Sequence, residues 1–174
     1  MKKIVIAFGL ISGVVITALM WLMLALVSAG VASHSVVFGY AIMVIALSLV
    51  FFGVKSYRDN NGGKITFFKG LQVGILISLI AALCYGISWE AYYRTDGGDF
   101  IEQYSVQYVE EMRSNGASDA EIAETQKQMA EFAEQYKNFF VRFGMTLMEI
   151  LPVGVIVTLI SAGLLRRKEL LPAQ

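Results

Sequence analysis

One cysteine and one histidine occur in 174 residues, and each shortage closes off a class of chemistry. Cys84 alone allows no intrachain disulfide, no cysteine-based zinc site and no CxxC redox pair, and its place inside an apolar run reads as inert packing. His34 stands in a short uncharged link, where a solvated loop residue is the default and a pH-sensing or ligand role the sharper alternative. HExxH, GxSxG and Walker patterns are missing, as is the nucleophile pair or ligand cluster that intramembrane hydrolysis needs. The expectation is therefore no enzyme, with no catalytic, metal or cofactor residue. No basic surface of domain size is left to neutralise phosphates, which argues against nucleic acid as a partner.

Charge is nearly missing from four long stretches. Ile4–Ala29, Val36–Val54, Leu71–Tyr93 and Phe139–Leu165 are each long enough, or nearly so, to cross the ~30 Å hydrocarbon core of a bilayer. A soluble helix would show a polar face every few residues, and these runs have none. A hydrophobic content of 56% is likewise too high for one ordinary soluble domain. The first run, behind Lys2 and Lys3, has the n-region of a signal peptide, and Gly30-Val31-Ala32 resembles a cleavage site. Its apolar length far exceeds the ~7–15 residues of a signal h-region, and Trp21 lies within it, so it reads as a retained span.

The charges that exist are sorted between these runs. Lys2 and Lys3 precede the first; Lys55, Arg58, Lys64 and Lys69 lie between the second and third; Arg166, Arg167 and Lys168 follow the fourth. The connection between the third and fourth holds Asp96, Asp99, Glu102, Glu110, Glu111, Asp119, Glu121, Glu124, Glu131 and Glu134. By the positive-inside rule both termini and the middle loop are cytoplasmic and the acidic segment is outside. A net charge of zero conceals this asymmetry.

Helices in lipid associate through close packing and buried polar contacts, because lipid is as apolar as leucine. The third run supplies a ladder of small residues, Gly70, Gly74, Ser78, Ala82 and Gly86. Gly9 and Gly13 repeat the spacing in the first run, and Gly154, Thr158 and Ala162 in the fourth. We read the ladder as packing within one bundle before dimerisation.

Outside the spans, the acidic segment reads as two amphipathic helices. Ile101, Tyr104, Tyr108 and Met112 fall at helical spacing, and Ser114-Asn115-Gly116 ends that helix at a residue suited to the left-handed cap. Ser118-Asp-Ala-Glu121 then fits a capping box, and Ile122, Met129, Ala133, Tyr136 and Phe140 make a second stripe that plausibly continues into the fourth span. The expected fold is all-α: a four-transmembrane-helix bundle with an extracytoplasmic amphipathic hairpin, residues 96–138, between helices 3 and 4. The hairpin's acids are either solvated faces or a surface for a cation or partner. On the other side, Asp59-Asn60-Asn61-Gly62-Gly63 is a turn by composition. Ile65, Phe67 and Phe68 beside Lys64 and Lys69 suit a short interfacial element in the headgroup zone, either as ordinary topology anchors or as a specific lipid site.

Ionisable residues at membrane depth are costly and so informative. Glu90 lies among the aromatics Trp89, Tyr92 and Tyr93, and Arg142 lies about as far inside the fourth span as Glu90 lies inside the third; the two are expected to pair. Glu149 falls near the bilayer middle counted from Phe139 and shallower counted back from Arg166, and is expected to face the bundle or a watery cavity. Pro152 frees a backbone carbonyl beside it. The pair reads either as a structural acid bonded to Thr146 or a neighbouring helix, or as a proton- or cation-coupling element.

The run Val54-Lys-Ser-Tyr-Arg-Asp59, then Gly62-Gly-Lys-Ile-Thr-Phe67, then Gly70-Leu-Gln-Val-Gly74, closing on Trp89 with Tyr92-Tyr93, is similar to the bacterial membrane family catalogued as domain of unknown function 4199. The likeness covers nearly the whole chain, ending on Glu149, Pro152 and Gly154 before the basic residues. It implies an integral, multi-pass protein of the bacterial cytoplasmic (inner) membrane and brings no established activity. Tyr57, Arg58, Asp59, Gly63 and Phe67 are thereby motif positions of unknown role. Two functions are expected to compete. One is a non-catalytic accessory or envelope-organising protein, seated in the lipid bilayer and binding a protein partner or a second copy through its hairpin and inner loop. The other is a small oligomeric cation- or proton-coupled transporter using Glu149.

Overall fold

The computed structural model describes residues 1–31, 36–95 and 97–166. Residues 32–35 of the link between the first two apolar runs, His34 among them, and Asp96, Arg167 and Lys168 lie outside the described residues. All regular structure within them is helical: α1 (Lys2–Ser28), α2 (Val36–Leu47), α3 (Leu49–Asp59), α4 (Phe67–Thr95), α5 (Phe100–Ser114), α6 (Asp119–Tyr136) and α7 (Phe139–Leu165). Four stretches are long and apolar enough to cross a bilayer, namely α1, α2 with α3 (Val36–Asp59), α4 and α7, with mean hydropathies of 2.5, 2.5, 2.0 and 2.1. The protein is a membrane protein.

Local chemistry sets where these helices bend and stop. The second span is interrupted at Ser48, whose hydroxyl donates to the Ile45 carbonyl at 2.6 Å while its carbonyl accepts from Phe51 N–H at 3.0 Å. A serine that bonds back to the preceding turn competes with the helical ladder and divides the span into α2 and α3. The stripe of α6 does not continue into α7, as the periodicity suggested. Asn138 intervenes, its side-chain oxygen accepting from the N–H groups of Phe140 at 2.9 Å and Val141 at 3.4 Å, so it caps a new helix. The interfacial element expected around Ile65–Phe68 is not separate either, because α4 itself begins at Phe67.

The chain packs as two compact units, Met1–Gly86 with Leu147–Gln174, and Ile87–Thr146. In the first, α1 lies against α2 and α3, and Ile16, Leu47, Val50, Val54, Val73 and Ile77 are fully buried. Every rung of the α4 ladder is buried. A Cβ placed on Gly70 would sit 3.1 Å from Ala162 Cβ, one on Gly74 2.5 Å from Thr158 Cγ2, and one on Gly154 2.8 Å from Ser78 Cβ. Each step of four up α4 is thus matched by a step of four back along α7, which is an antiparallel zipper of small side chains. Ser78 Oγ stands 3.5 Å from both the Gly154 carbonyl and Thr158 Oγ1.

A different side of α4 meets α1. Cβ atoms on Gly9 and Gly13 would fall 2.7 Å from Ile80 Cβ and Cys84 Cβ, a parallel pairing in which Cys84 serves as packing. Ser12, between these glycines, is fully buried and its hydroxyl has no partner among the described residues. The small-residue faces are therefore taken up within one chain.

In the second unit, α5 and α6 lie against each other. Gly116 turns the chain at φ +81°, and the N–H groups of Gly116 and Ala117 reach back to the carbonyls of Arg113 and Met112, both at 3.0 Å. Ser118 and Glu121 complete a capping box at the start of α6. The buried residues are Ile101 and Val109 on α5 and Ile122 and Tyr136 on α6. Val109 takes the place expected for Tyr108, which is 39% exposed. Spacing alone favours Tyr108, seven residues on and about 20° round the helix from Ile101, over Val109 at about 80°, so the buried place goes to the smaller side chain against the periodicity, and the larger ring is left outside.

Candidate functional site

Arg142 organises the second unit. Its side chain is 4% exposed and its guanidinium meets Glu90 through both arms: Nε donates to Oε2 at 2.8 Å, and Nη2 donates to Oε2 at 2.6 Å and Oε1 at 2.8 Å. Nη1 donates to the carbonyls of Tyr136 at 2.8 Å and Lys137 at 3.3 Å, which lie at the break between α6 and α7. The guanidinium carbon sits 3.8 Å from the centre of the Tyr93 ring. Arg94 Nε donates to Glu90 Oε1 at 2.7 Å from the exposed side, and Trp89 Nε1 donates to Tyr136 Oη at 2.7 Å. This bidentate geometry suits arginine and not lysine. The expected pair is present, and Arg142 also holds the end of α6 through the carbonyls of Tyr136 and Lys137.

The inner-loop motif has a mainly structural arrangement. Arg58 is 1% exposed and contacts Asp59 Oδ1 through Nε and Nη2, both at 3.0 Å, while Lys55 Nζ reaches Asp59 Oδ2 at 2.6 Å. Gly63, at φ +72°, donates its N–H to the Arg58 carbonyl at 3.1 Å and closes the turn that Asn61 braces by donating to the Lys64 carbonyl at 3.0 Å. A side chain at Gly63 would be strained at that φ. Phe67 begins α4 and packs edge-to-face on Phe68 at 5.8 Å. Tyr57 alone of the motif lines an open cleft of about 390 Å³, together with Asn61, Lys64, Ile65, Thr66, Lys69 and Arg166. Arg166 joins this group from the far end of the chain, a neighbour that sequence spacing gave no means of finding.

Glu149 and Pro152 are not brought into either arrangement. Both are exposed on α7, which runs unbroken through Pro152. Glu149, expected to face the bundle or a watery cavity, does not face the bundle, and Thr146, one of its expected partners, donates instead to the Arg142 carbonyl at 3.0 Å. Thr146 and Ile150 are buried whereas Glu149, about 60° round the helix from Thr146, lies outside the edge of that buried stripe, next to Met148 at 74% exposure. Depth along the sequence does not give the side a residue faces. No group of three or more His, Cys, Asp or Glu side chains suited to a metal exists among the described residues.

The chain belongs to a family described as proteins of unknown function, DUF4199, whose model matches residues 7–167. No curated protein matches it, and no solved structure does.

Proposed function

We propose that this member of the DUF4199 family is a non-catalytic accessory protein of the bacterial cytoplasmic membrane that docks a partner protein on its α5–α6 hairpin, with the α3–α4 loop as a second contact surface. The positive-inside distribution supports cytoplasmic termini and an outward hairpin. The observation that carries the reading is the hairpin's preorganisation. It is closed by a glycine-capped turn, started by a full capping box, and tied at its last residue to Arg142. A segment whose backbone is already fixed loses little conformational entropy on binding.

The surface so fixed is acidic and partly apolar. Glu102, Glu110, Glu111, Asp119 and Glu131 are exposed and have no ion pair among the described residues, and Val106 is 65% exposed between Glu102 and Glu110 along α5. Uncompensated acids around an exposed apolar residue favour a basic partner with an apolar contact. The test is mild crosslinking in native membranes with mass spectrometry, comparing wild type with a Glu102→Gln, Glu110→Gln, Glu111→Gln variant. These positions touch none of the hairpin's caps, so the fold is retained. A foreign protein crosslinked to the wild type and lost from the variant is the expected result. Equal recovery from both, or recovery of this chain alone, refutes docking on the hairpin.

A further inference from the structure

The cleft at the α3–α4 loop combines features that docking on the α5–α6 segment does not use. Three cations, Lys64, Lys69 and Arg166, converge on it from two segments distant in sequence, beside the side chains of Tyr57, Asn61 and Thr66. No acid is among its lining residues. Asp59, the acid of this loop, is engaged by Lys55 and Arg58. Lys69 Nζ donates to the neutral Gln72 Oε1 at 2.9 Å, and neither Lys64 nor Arg166 meets an acid among the described residues. Among the described residues, the positive charge of the cleft is therefore uncompensated.

Its position adds to this. Thr66 Oγ1 accepts from Lys69 N–H and so caps α4, and the cleft borders the positive end of a 29-residue helix. Tyr57 comes from the end of the second span, Thr66 and Lys69 from the start of the third, and Arg166 follows the end of the fourth. Span ends lie at the level of lipid headgroups. Phe68, 79% exposed, is in the first turn of α4, as an aromatic residue at that level would be. About 390 Å³ is within the range of small-ligand sites and has room for a phosphate with its attached alcohol.

We infer that this cleft binds a phosphate monoester or diester, and that the phosphate belongs to the headgroup of an anionic phospholipid. Arg166 presents the planar fork that matches two phosphate oxygens, Lys64 and Lys69 supply point charges, and the side chains of Tyr57, Asn61 and Thr66 offer polar contacts to the remaining oxygens. Ile65, 9% exposed, forms an apolar wall on which the glycerol carbons rest. The inference is independent of the hairpin, so hairpin docking and lipid binding fail separately.

The experiment uses the full chain in mixed micelles of phosphatidylglycerol and phosphatidylcholine, with native mass spectrometry reading the retained lipids. Wild type is expected to retain phosphatidylglycerol preferentially. The Lys64→Gln and Arg166→Gln variants are each expected to lose about fivefold of that preference, the value of one cation near an anionic surface. Lys2→Gln with Lys3→Gln, a larger loss of charge away from the cleft, leaves it unchanged. Both cleft side chains are exposed, so the substitutions do not test folding. In a second arm, glycerol 1-phosphate is titrated into protein held in phosphatidylcholine alone. Saturable binding there that is lost in Arg166→Gln, with no phosphatidylglycerol preference in the first arm, overturns the lipid source and assigns the cleft to a soluble phosphate ester. No difference between wild type and the cleft variants in either arm overturns the site altogether.

Discussion

Removing Arg142 separates the structural terms most sharply. Arg142→Met keeps most of the side chain's length and apolar volume but deletes the contacts to Glu90 and to the carbonyls of Tyr136 and Lys137. Breaking a buried ion pair from one side costs about 3–5 kcal/mol, chiefly because the remaining charge is left uncompensated. Here Arg94 still reaches Glu90 Oε1 at 2.7 Å, although its side chain is 71% exposed and its contribution is screened. The expected loss is therefore near the lower bound, about 3 kcal/mol. Glu90→Gln leaves Arg142 with two carbonyl acceptors and the Tyr93 ring, and should cost about 2 kcal/mol. Equilibrium unfolding in mixed micelles by SDS titration gives both values, and the double variant completes the cycle. A coupling energy of about 1–2 kcal/mol is expected, and one below about 0.5 kcal/mol would refute the pairing as an energetic unit. Exchanging the charges, Glu90→Arg with Arg142→Glu, should recover only part of the loss. A carboxylate at position 142 would face the carbonyls of Tyr136 and Lys137, which can only accept hydrogen bonds.

Four further outcomes follow from the packing. Gly74→Ala brings a methyl to 2.5 Å from Thr158 Cγ2 and should destabilise by about 1–3 kcal/mol, with recovery in Gly74→Ala/Thr158→Gly; Gly163→Ala, which meets nothing within 4 Å, is the neutral control in the same SDS titration. Ser12→Ala removes a buried hydroxyl that lacks a partner among the described residues and should raise stability by about 1 kcal/mol, and a fall would show that the hydroxyl is satisfied. Ser118 holds the Glu121 carboxyl below its ordinary value of 4.5 through its N–H and hydroxyl, so the cap's contribution is complete above that value and disappears as pH falls through the lower folded one. The protection of amides at the start of α6, corrected for the intrinsic pH dependence of exchange, should fall across that window, and Ser118→Ala should lower it roughly fivefold at neutral pH and shrink the pH step without removing it, since the N–H at position 118 still donates to Glu121. Glu149→Leu replaces an exposed carboxyl lying about 15 Å along α7 from Phe139. If lipid covers that face, stability rises by about 2.5 kcal/mol; if a second copy or partner covers it, stability or oligomer content falls.

The sequence made the spans legible because a bilayer demands long apolar runs, a requirement read along the chain without tertiary information. Gly116 and the Ser118–Glu121 box were legible for a similar reason, since caps are local and their partners lie within four residues. Glu90 with Arg142 was found because two opposite charges at equal depth in apolar runs have few other ways to be compensated. Three things were hidden. Ser48 and Asn138 break helices through side-chain bonds that compete with the ladder by a small margin, and neither composition nor periodicity resolves such a margin. The face of Glu149 depends on the rotation of α7 about its axis, which its neighbours set. Arg166 depends on the register between α4 and α7.

That register explains why the cleft appears only in three dimensions. The zipper pairs Gly70 with Ala162 and Gly74 with Thr158, and Gly154 with Ser78. One further step in the same sense leaves the small residues and brings Thr66 level with Arg166. The spacing that allows two backbones to approach in the bilayer also sets the cation of one span end beside the capped N-terminus of the next. Small residues along the zipper and polar residues at its end are thus one continuous pattern, of which the first part is fixed by packing. The second has no packing role: Lys64 and Arg166 are exposed and unpaired by acids among the described residues, and Lys69 is held only by a neutral amide. A register slip of one turn would displace Arg166 from Thr66 by about 5.4 Å and open the cleft. The packing that stabilises the bundle is therefore what fixes the spacing of the charges at its end.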